Sequence, residues 1–289
     1  MNRQSGSSFS AEIPAGLSDR TFGRFSSLIH DEVGIKLPPA KKVMLEARLN
    51  KRLKACGFRT FDDYARYVFS AEGREKELFS LIDAVTTNKT DFFREPGHFE
   101  YLAKVAVPSL IDSRKAGIGT PFRIWSAGCS TGEEPYTMSM VLSEFAETRP
   151  GFQTFILATD ISTAVLAKAR NAVYSEDSVD IIPLNLKKKY LLRSKDKNRQ
   201  CVRIAPQQRA MITFRRLNFM EEFGMPELMD VIFCRNVIIY FDKPTQERLL
   251  NRFYRQLAAG GYLFLGHSET ASGLNVAFKP VASTVYRKL

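Results

Sequence analysis

The stretch Phe122-Arg-Ile-Trp-Ser-Ala-Gly-Cys-Ser-Thr-Gly-Glu-Glu-Pro-Tyr136 decides the fold. Phe122, Ile124 and Trp125 read as a strand. Ala127, Gly128, Ser130, Thr131 and Gly132 read as a turn of small residues. Glu133, Glu134 and Pro135 suit the first turn of a helix, where carboxylates complement the helix dipole and a missing N–H costs nothing. A second run, Thr154-Phe-Ile-Leu-Ala-Thr-Asp160, follows a helix-length gap and ends in an acid. Strand, glycine turn, helix, strand, acid is the plan of a nucleotide-binding βαβ unit. Its glycines let a ligand approach the backbone, and its acid takes ribose hydroxyls.

The turn departs from the dinucleotide fingerprint. GxGxxG at a helix start receives a pyrophosphate. Here Gly128 and Gly132 are four apart, and Glu133 and Glu134 stand where a phosphate would lie. Carboxylates there repel a pyrophosphate and suit a cation. An adenosine ligand with a positively charged end and no phosphate is S-adenosylmethionine. The alternative is that both glutamates only complement the helix dipole.

The chain has 289 residues, enough for one large domain and a small one, with 44% apolar and 25% charged residues, ordinary for a soluble globular protein. No apolar run is long enough to span a bilayer. The polar, Ser-rich start, residues 1–16, reads as a disordered leader without a signal region. Cys56, Cys129, Cys201 and Cys234 form no CxxC pair and no histidine cluster joins them, which argues against a zinc site, any other metal centre or a disulfide framework. Free thiols without an export signal point to the cytoplasm. Three histidines, His30, His98 and His267, disfavour chemistry that passes protons through several imidazoles. The net charge of +11 predicts an acidic partner: nucleic acid, an anionic membrane surface or an acidic protein.

Residues 17–87 read as a small helical domain. Phe22, Phe25, Leu28 and Ile29 fall at helical spacing, and Leu49 and Leu53 continue an apolar stripe from Met44 or Leu45. Arg48, Lys51 and Arg52 share another face, which remains either a partner-binding surface or a solvated one. Thr60 caps a following helix. Residues 88–98 form a linker. From residue 99 onward strands and helices alternate, with strands at 122–126, 153–159, 230–234 and 261–266 and helices between them. That pattern argues an α/β domain, residues 99–289, with a mainly parallel sheet. Asp242 and Pro244 open a helix at 244–258. The basic segment 187–216 reads as an inserted β subdomain, with strand-like pieces Val202–Ile204 and Met211–Phe214. The tail, with pieces 278–281 and 283–287, reads as a closing hairpin.

Five motifs together resemble one family. They are Thr86-Thr-Asn-Lys-Thr-Asp-Phe-Phe-Arg-Glu95, the stretch Trp125 to Tyr136, Ala158-Thr-Asp-Ile161, Phe233-Cys-Arg-Asn-Val-Ile-Ile-Tyr-Phe-Asp242 and Gly266-His-Ser-Glu269. In this order they resemble the chemotaxis receptor glutamate O-methyltransferases, the CheR family, over about residues 17–286. The resemblance implies an all-helical N-terminal domain before a Rossmann-like, S-adenosylmethionine-dependent methyltransferase domain with a small inserted β subdomain. It implies methyl transfer to receptor glutamates as methyl esters, leaving S-adenosyl-L-homocysteine, and sensory adaptation as the purpose. The acidic helical cytoplasmic region of a chemoreceptor is then the implied partner, met by Arg48, Lys51 and Arg52. A receptor C-terminal peptide is a candidate ligand of the β subdomain, although the loop Arg193–Arg199 is basic and lacks glycines, unlike the family pattern. The expectation is a cytoplasmic monomer that neither binds nucleic acid nor inserts in a membrane.

The resemblance also assigns residues. Asp160 accepts the ribose hydroxyls, with capping of the next helix as the alternative. Glu134 meets the methionine ammonium. Asn88, Thr90 and Arg94 reach the methionine end, and Arg94 can also pair with a carboxylate at the catalytic site. Asn218 and Phe219 flank the adenine, with a core role for Phe219 left open. Arg235 and Asn236 join the cofactor site. Arg235 and Tyr240 also serve catalysis, Arg235 by holding the substrate carboxylate and Tyr240 by orienting it or facing the sulfonium. Cys234 reads as a wall residue, and His267 has no assigned role.

Two other readings remain open on sequence. A nucleic-acid methyltransferase would suit the charge, but Arg235-Asn-Val-Ile replaces the Asn/Asp-Pro-Pro-aromatic motif of amino-methylating DNA enzymes. A non-catalytic cofactor-sensing adaptor is the third reading, and retention of Asp160, Arg235 and Tyr240 argues against a dead site.

Overall fold

The computed structural model describes residues 16–196 and 198–289, so the expected leader lies, but for Gly16, outside the described residues. The chain divides into two compact units. One runs to Ile29 and resumes over Leu37–Val85; the other comprises His30–Lys36 and Thr86–Leu289.

The first unit is helical: α1 (Asp19–Val33, divided between the units), α2 (Lys42–Ala55), α3 (Phe61–Val68), α4 (Ala71–Lys76) and α5 (Leu78–Val85). Thr60 caps α3 by accepting the Asp63 N–H at 3.1 Å, and Ser70 caps α4 through the Gly73 N–H. Leu45, Leu49 and Leu53 make the buried stripe of α2, since residues three or four apart share a helix face.

The basic face expected on α2 is not what that helix presents. Arg52 grips Glu77 with two parallel hydrogen bonds, Nε to Oε1 at 2.8 Å and Nη2 to Oε2 at 2.7 Å. Tyr64 donates its hydroxyl to the same carboxylate at 2.7 Å. Arg48 donates to the Val85 carbonyl. The physical reason is desolvation: Glu77 is only 4% exposed and needs a charged partner. Lys51 alone of the three is exposed; Arg48 and Arg52 are half-buried.

Burial by itself would raise the Glu77 pKa, but hydrogen bonds from Arg52 and Tyr64 outweigh it and hold the carboxyl below its ordinary range. A depressed folded-state pKa gives stability that is present above the unfolded value of about 4.3 and lost as pH falls through the folded value. Glu77→Gln is therefore expected to flatten the acid limb of the stability curve. At pH 7 it is expected to cost about 2–3 kcal/mol, below the full cost of breaking a buried pair, because Arg52 is 27% exposed. Denaturant titrations at pH 3 and pH 7 check this; an equal cost at both would contradict it.

The second unit opens with α6 (Pro96–Tyr101), a π-helical turn (Leu102–Ala106) and α7 (Val107–Arg114). The wide turn comes just before Pro108, which has no N–H for regular helix bonding. Next come β1 (Phe122–Ala127), α8 (Glu133–Thr148), β2 (Thr154–Asp160), α9 (Thr163–Asn171), β3 (Val173–Ser175), α10 (Leu184–Tyr190), β4 (Leu191–Arg193), β5 (Cys201–Ile204), α11 (Pro206–Ala210), β6 (Ile212–Arg216), β7 (Met229–Cys234), α12 (Lys243–Gln256), β8 (Leu257–Leu265), β9 (Phe278–Ala282) and β10 (Val285–Lys288).

The main sheet has the order β6-β2-β1-β7-β8-β10-β9. β6, β2, β1, β7 and β8 are parallel; β10 runs antiparallel to both β8 and β9. Along β7, Val231 and Phe233 enter one core cluster while Ile232 and Cys234 enter the other, so the sheet is buried on both faces. β1 lies between β2 and β7, where the chain reverses its direction of travel across the sheet. Open α/β sheets bind ligands at such a switch point, outside the carboxyl ends of the strands.

The inserted subdomain differs from the expected 187–216. Its three-stranded antiparallel sheet, β3-β5-β4, begins at Val173 and ends at Ile204. The piece Met211–Phe214 belongs instead to β6, which pairs with β2 from Ile156↔Ile212 to Asp160↔Arg216. Polar residues alternate along β6 because it is the sheet's edge, where charged side chains are common.

Candidate active site at the carboxyl ends of the parallel strands

The turn after β1 is closed against itself. Gly128 and Cys129 donate their N–H groups to the Thr159 carbonyl at 2.8 and 2.9 Å, and Gly132 donates to Cys129 at 3.0 Å. Ser130 donates to Asp160 Oδ2 at 2.8 Å. Four N–H groups of the turn, those of Gly128, Cys129, Ser130 and Gly132, are thus satisfied by the protein rather than turned to a ligand. Gly128 has φ 91°, and a Cβ there would lie 2.5 Å from Val237 Cγ2, so the turn needs glycine for close approach as well as for conformation. Asp160 Oδ1 accepts from Ser162 N at 3.0 Å, while Ser162 itself caps α9. Asp160 therefore ties the β2 end to the β1 turn, and Ser162 Oγ accepts from Val165 N at the start of α9.

Asp160 and the two glutamates that open α8, Glu133 and Glu134, put three carboxylates at this entrance. Glu133 is buried and accepts from Thr131 Oγ1 at 2.6 Å; burial pushes its pKa up. Glu134 accepts from Ser126 Oγ at 2.7 Å and from Arg235 Nη1 at 3.0 Å. Burial raises its pKa too, opposed by the Arg235 charge. A carboxylate has about four lone-pair sites, so Glu134 keeps capacity for a cationic ligand group.

Arg235, at the end of β7, is the node of the site. Its side chain is 3% exposed. Besides Glu134 it meets Glu95 Oε2 through Nε at 3.2 Å and Nη2 at 3.0 Å, and it donates to the Arg94 carbonyl. Its guanidinium lies 5.5 Å from the Phe99 ring centroid and 5.9 Å from that of Phe233. Burial would raise Glu95, but the charge of Arg235 and the His267 N–H, at 3.2 Å, outweigh it and hold the pKa down. Beside Glu95, buried His98 is pushed down to about 4 by desolvation and by Arg235.

Glu269 fixes the loop that follows Arg235. Its buried carboxylate accepts from Gly266 N at 2.7 Å, Asn236 N at 2.7 Å, Val237 N at 2.8 Å and Ile239 N at 3.3 Å. The loop leads into the short turn Ile238–Tyr240, also held by Gln246 Nε2 on the Ile238 carbonyl at 2.8 Å.

Four non-glycine residues around the site have positive φ: Phe93 (51°), Glu95 (57°), Ser130 (49°) and Asn236 (58°). Such conformations persist only where the surroundings enforce them. Each has its clamp: Phe93 N on Thr137 Oγ1 at 3.2 Å, the Glu95 side chain on Arg235, Ser130 N on Asp160 and Asn236 N on Glu269.

The structure brings Asp160, Glu134, Arg235 and Asn236 to the strand ends, and Asn88 is joined to the turn by its carbonyl, which accepts Ser130 Oγ at 2.9 Å. Asn88 Nδ2 donates to Thr86 Oγ1 at 3.2 Å, and Arg94 Nη1 to the Lys89 carbonyl at 3.1 Å. Thr90 is half-buried in the same connector. Asn218 is occupied: Nδ2 donates to the Glu32 carbonyl at 2.7 Å, and Oδ1 accepts from Met220 N at 3.0 Å. Phe219 packs among Trp125, Phe223 and Phe253, which is the core role left open on sequence. All four cysteines are free. Burial pushes the Cys234 thiol well up, which suits a wall rather than a nucleophile. Glu95 and Glu269 were given no role by sequence although both lie inside quoted motifs; a carboxylate next to a proline, and one after Gly-His-Ser, were the only signals.

A five-stranded parallel sheet with a reversed terminal hairpin, and a glycine turn that offers carboxylates where a phosphate loop offers N–H groups, define an S-adenosylmethionine-dependent methyltransferase. Family models agree: "CheR methyltransferase, SAM binding domain" matches residues 88–287, and "CheR methyltransferase, all-alpha domain" matches residues 20–86. The chain is 41% identical over 267 residues to the chemotaxis protein methyltransferase of Borreliella burgdorferi, covering 92% of this chain and 93% of that protein. It is 40% identical over 272 residues to the protein of the same name from Klebsiella aerogenes (93% and 90% covered), and 38% over 271 residues to that of Escherichia coli (93% and 91%). The chain belongs to the CheR family of methyltransferases, and its methyl donor is S-adenosylmethionine. Among the described residues, no helix is long and apolar enough to cross a membrane.

Proposed function

We propose that the protein transfers the methyl group of S-adenosylmethionine to glutamate side chains on the acidic helical cytoplasmic region of chemoreceptors, forming methyl esters, and acts as a cytoplasmic monomer. The observation that carries this reading is the turn with four of its N–H groups satisfied internally and its gathered carboxylates, which disfavour a phosphate and suit a donor with a cationic end. The relatives' shared name, chemotaxis protein methyltransferase, supports a chemoreceptor acceptor, as does the net charge of +11.

Within this reading Asp160 takes the ribose hydroxyls. The chain at Asn218 and Phe219 flanks the adenine by its backbone, since both side chains are engaged within the protein. Glu134 receives the ammonium, and Asn88, Thr90, Arg94 and Asn236 complete the methionine end. As Glu134 turns to the ammonium, Arg235 gains a donor for an acceptor carboxylate, which Arg94 and Tyr240 help to orient. Lys51, exposed on α2, is the remaining contact for the receptor bundle, and the edges of the β3-β5-β4 sheet suit a receptor C-terminal peptide by strand addition.

Bound S-adenosylmethionine supplies an electrophilic methyl on a sulfonium leaving group. A glutamate side chain, with an unperturbed pKa of about 4.3, is already ionised at pH 7, so the protein needs no general base. What its residues contribute is alignment and exclusion of water; positioning of this kind is worth up to about 7–11 kcal/mol.

Incubation with methyl-labelled S-adenosylmethionine and receptor-bearing membranes tests the proposal. Base-labile label on receptor glutamates is the expected result. Label on DNA or RNA, or base-stable label on protein, would contradict it.

A further inference from the structure

Glu95, His98 and His267 converge beside Arg235 from distant parts of the chain. One ligand atom of each lies within 4.8 Å of the other two. Glu95 Oε2 is 3.4 Å from His98 Nδ1 and 3.9 Å from His267 Nε2. These are nearly the spacings of a tetrahedral zinc site, where bonds of about 2.0–2.2 Å place neighbouring ligand atoms about 3.4 Å apart.

The His98 tautomer sharpens the point. His98 Nε2 lies 2.8 Å from Thr284 Oγ1, and that hydroxyl gives its own proton to the Ser283 carbonyl at 2.8 Å. With the Thr284 hydroxyl turned to Ser283, it is the acceptor and His98 Nε2 carries the proton. Nδ1 is left with a bare lone pair. The residue is 4% exposed, Nδ1 has no hydrogen-bond partner, and it faces a carboxylate oxygen. Two buried acceptors facing one another repel unless a cation stands between them. The Thr284 contact is also the outer hydrogen bond that commonly orients a metal-bound imidazole.

We propose that Glu95 Oε2, His98 Nδ1 and His267 Nε2 form a binding site for a divalent transition-metal ion of zinc type, with a fourth position open to water, and that occupancy restrains methyl transfer. Imidazole and carboxylate donors suit such an ion, and two histidines with one glutamate is an established ligand set for it. The ion competes with Arg235 for Glu95, which weakens its binding and couples the site to the chemistry. When Glu95 turns to the metal, Arg235 keeps Glu134 and the Arg94 carbonyl but loses the partner that fixes the other side of its fork.

Calorimetry of the full chain with zinc chloride tests the site. The cysteine-free-surface variant Cys56→Ser/Cys201→Ser serves as background, because both thiols are partly accessible. One equivalent should bind. His267→Ala, at a side chain 62% exposed and so compatible with an unchanged melting temperature, should weaken binding at least tenfold. Cobalt should bind with ligand-field bands and no thiolate charge-transfer band. Zinc should inhibit methyl transfer in the background protein and less in His267→Ala. No binding, equal affinity in the two proteins, or a thiolate band would overturn the site. The inhibition arm rests on the role proposed for Arg235, whereas calorimetry reads the ion itself; binding without inhibition would therefore overturn only the restraint.

Discussion

Arg235→Lys is expected to lower the rate of methyl transfer by about 10²- to 10³-fold, the scale of losing one preorganised charged donor from an active site. The guanidinium serves three acceptors from one plane: Glu95, Glu134 and the Arg94 carbonyl. An ammonium keeps the charge but is a point donor on a flexible stem and cannot span all three in a fixed geometry. Because the positive charge remains, stability should fall little. Arg235→Ala should abolish transfer and also cost about 3–5 kcal/mol, since it leaves two partly buried carboxylates uncompensated. The pair of variants separates chemistry from folding: the lysine protein should melt near the native temperature yet turn over slowly. Native turnover in Arg235→Lys would remove Arg235 from its proposed role.

Glu269→Ala is expected to have the largest effect on folding. It strips the acceptor from four backbone N–H groups at once. A buried donor left unpaired costs about 1–3 kcal/mol. Water entering the vacated space will satisfy some of them, so a loss of about 4 kcal/mol is expected, a large share of a typical 5–15 kcal/mol. Glu269→Gln should rescue little, because its amide brings two more donors to a place that already holds four. Urea denaturation gives the comparison; a native midpoint for the alanine variant would show that the Arg235–Tyr240 loop is held by something else. Any surviving folded protein should transfer methyl poorly, since the loop that carries Asn236 and Tyr240 would be free to move.

The parts of this architecture that are legible in sequence are those set by local chemistry. The β1 turn and α8 announce themselves because close backbone approach demands glycine and a helix start favours Glu133, Glu134 and Pro135. β7, α12 and β8 follow from apolar runs and from Asp242 as a cap, which accepts Thr245 N at 3.0 Å. What is not legible depends on distant partners. Arg48 and Arg52 sit at polar positions of α2, and nothing local shows that Glu77, in another part of the helical unit, is buried and draws Arg52 inward. β6 hides as a basic insert because an edge strand needs only one side buried. Asn218 looks free for a ligand until the Glu32 carbonyl is placed beside it. Glu95 and His267 are 172 residues apart in sequence, so no spacing rule joins them, and the two histidines and one glutamate escape a search built on neighbouring cysteines and histidines.

The most direct test of the account is calorimetry of the full chain with S-adenosylhomocysteine and, separately, with NAD⁺. A turn with four N–H groups already satisfied and whose entrance holds Glu133, Glu134 and Asp160 should bind the homocysteine compound, lose affinity in Asp160→Asn and Glu134→Gln, and give no heat with the dinucleotide. Heat with NAD⁺ and none with S-adenosylhomocysteine would contradict it.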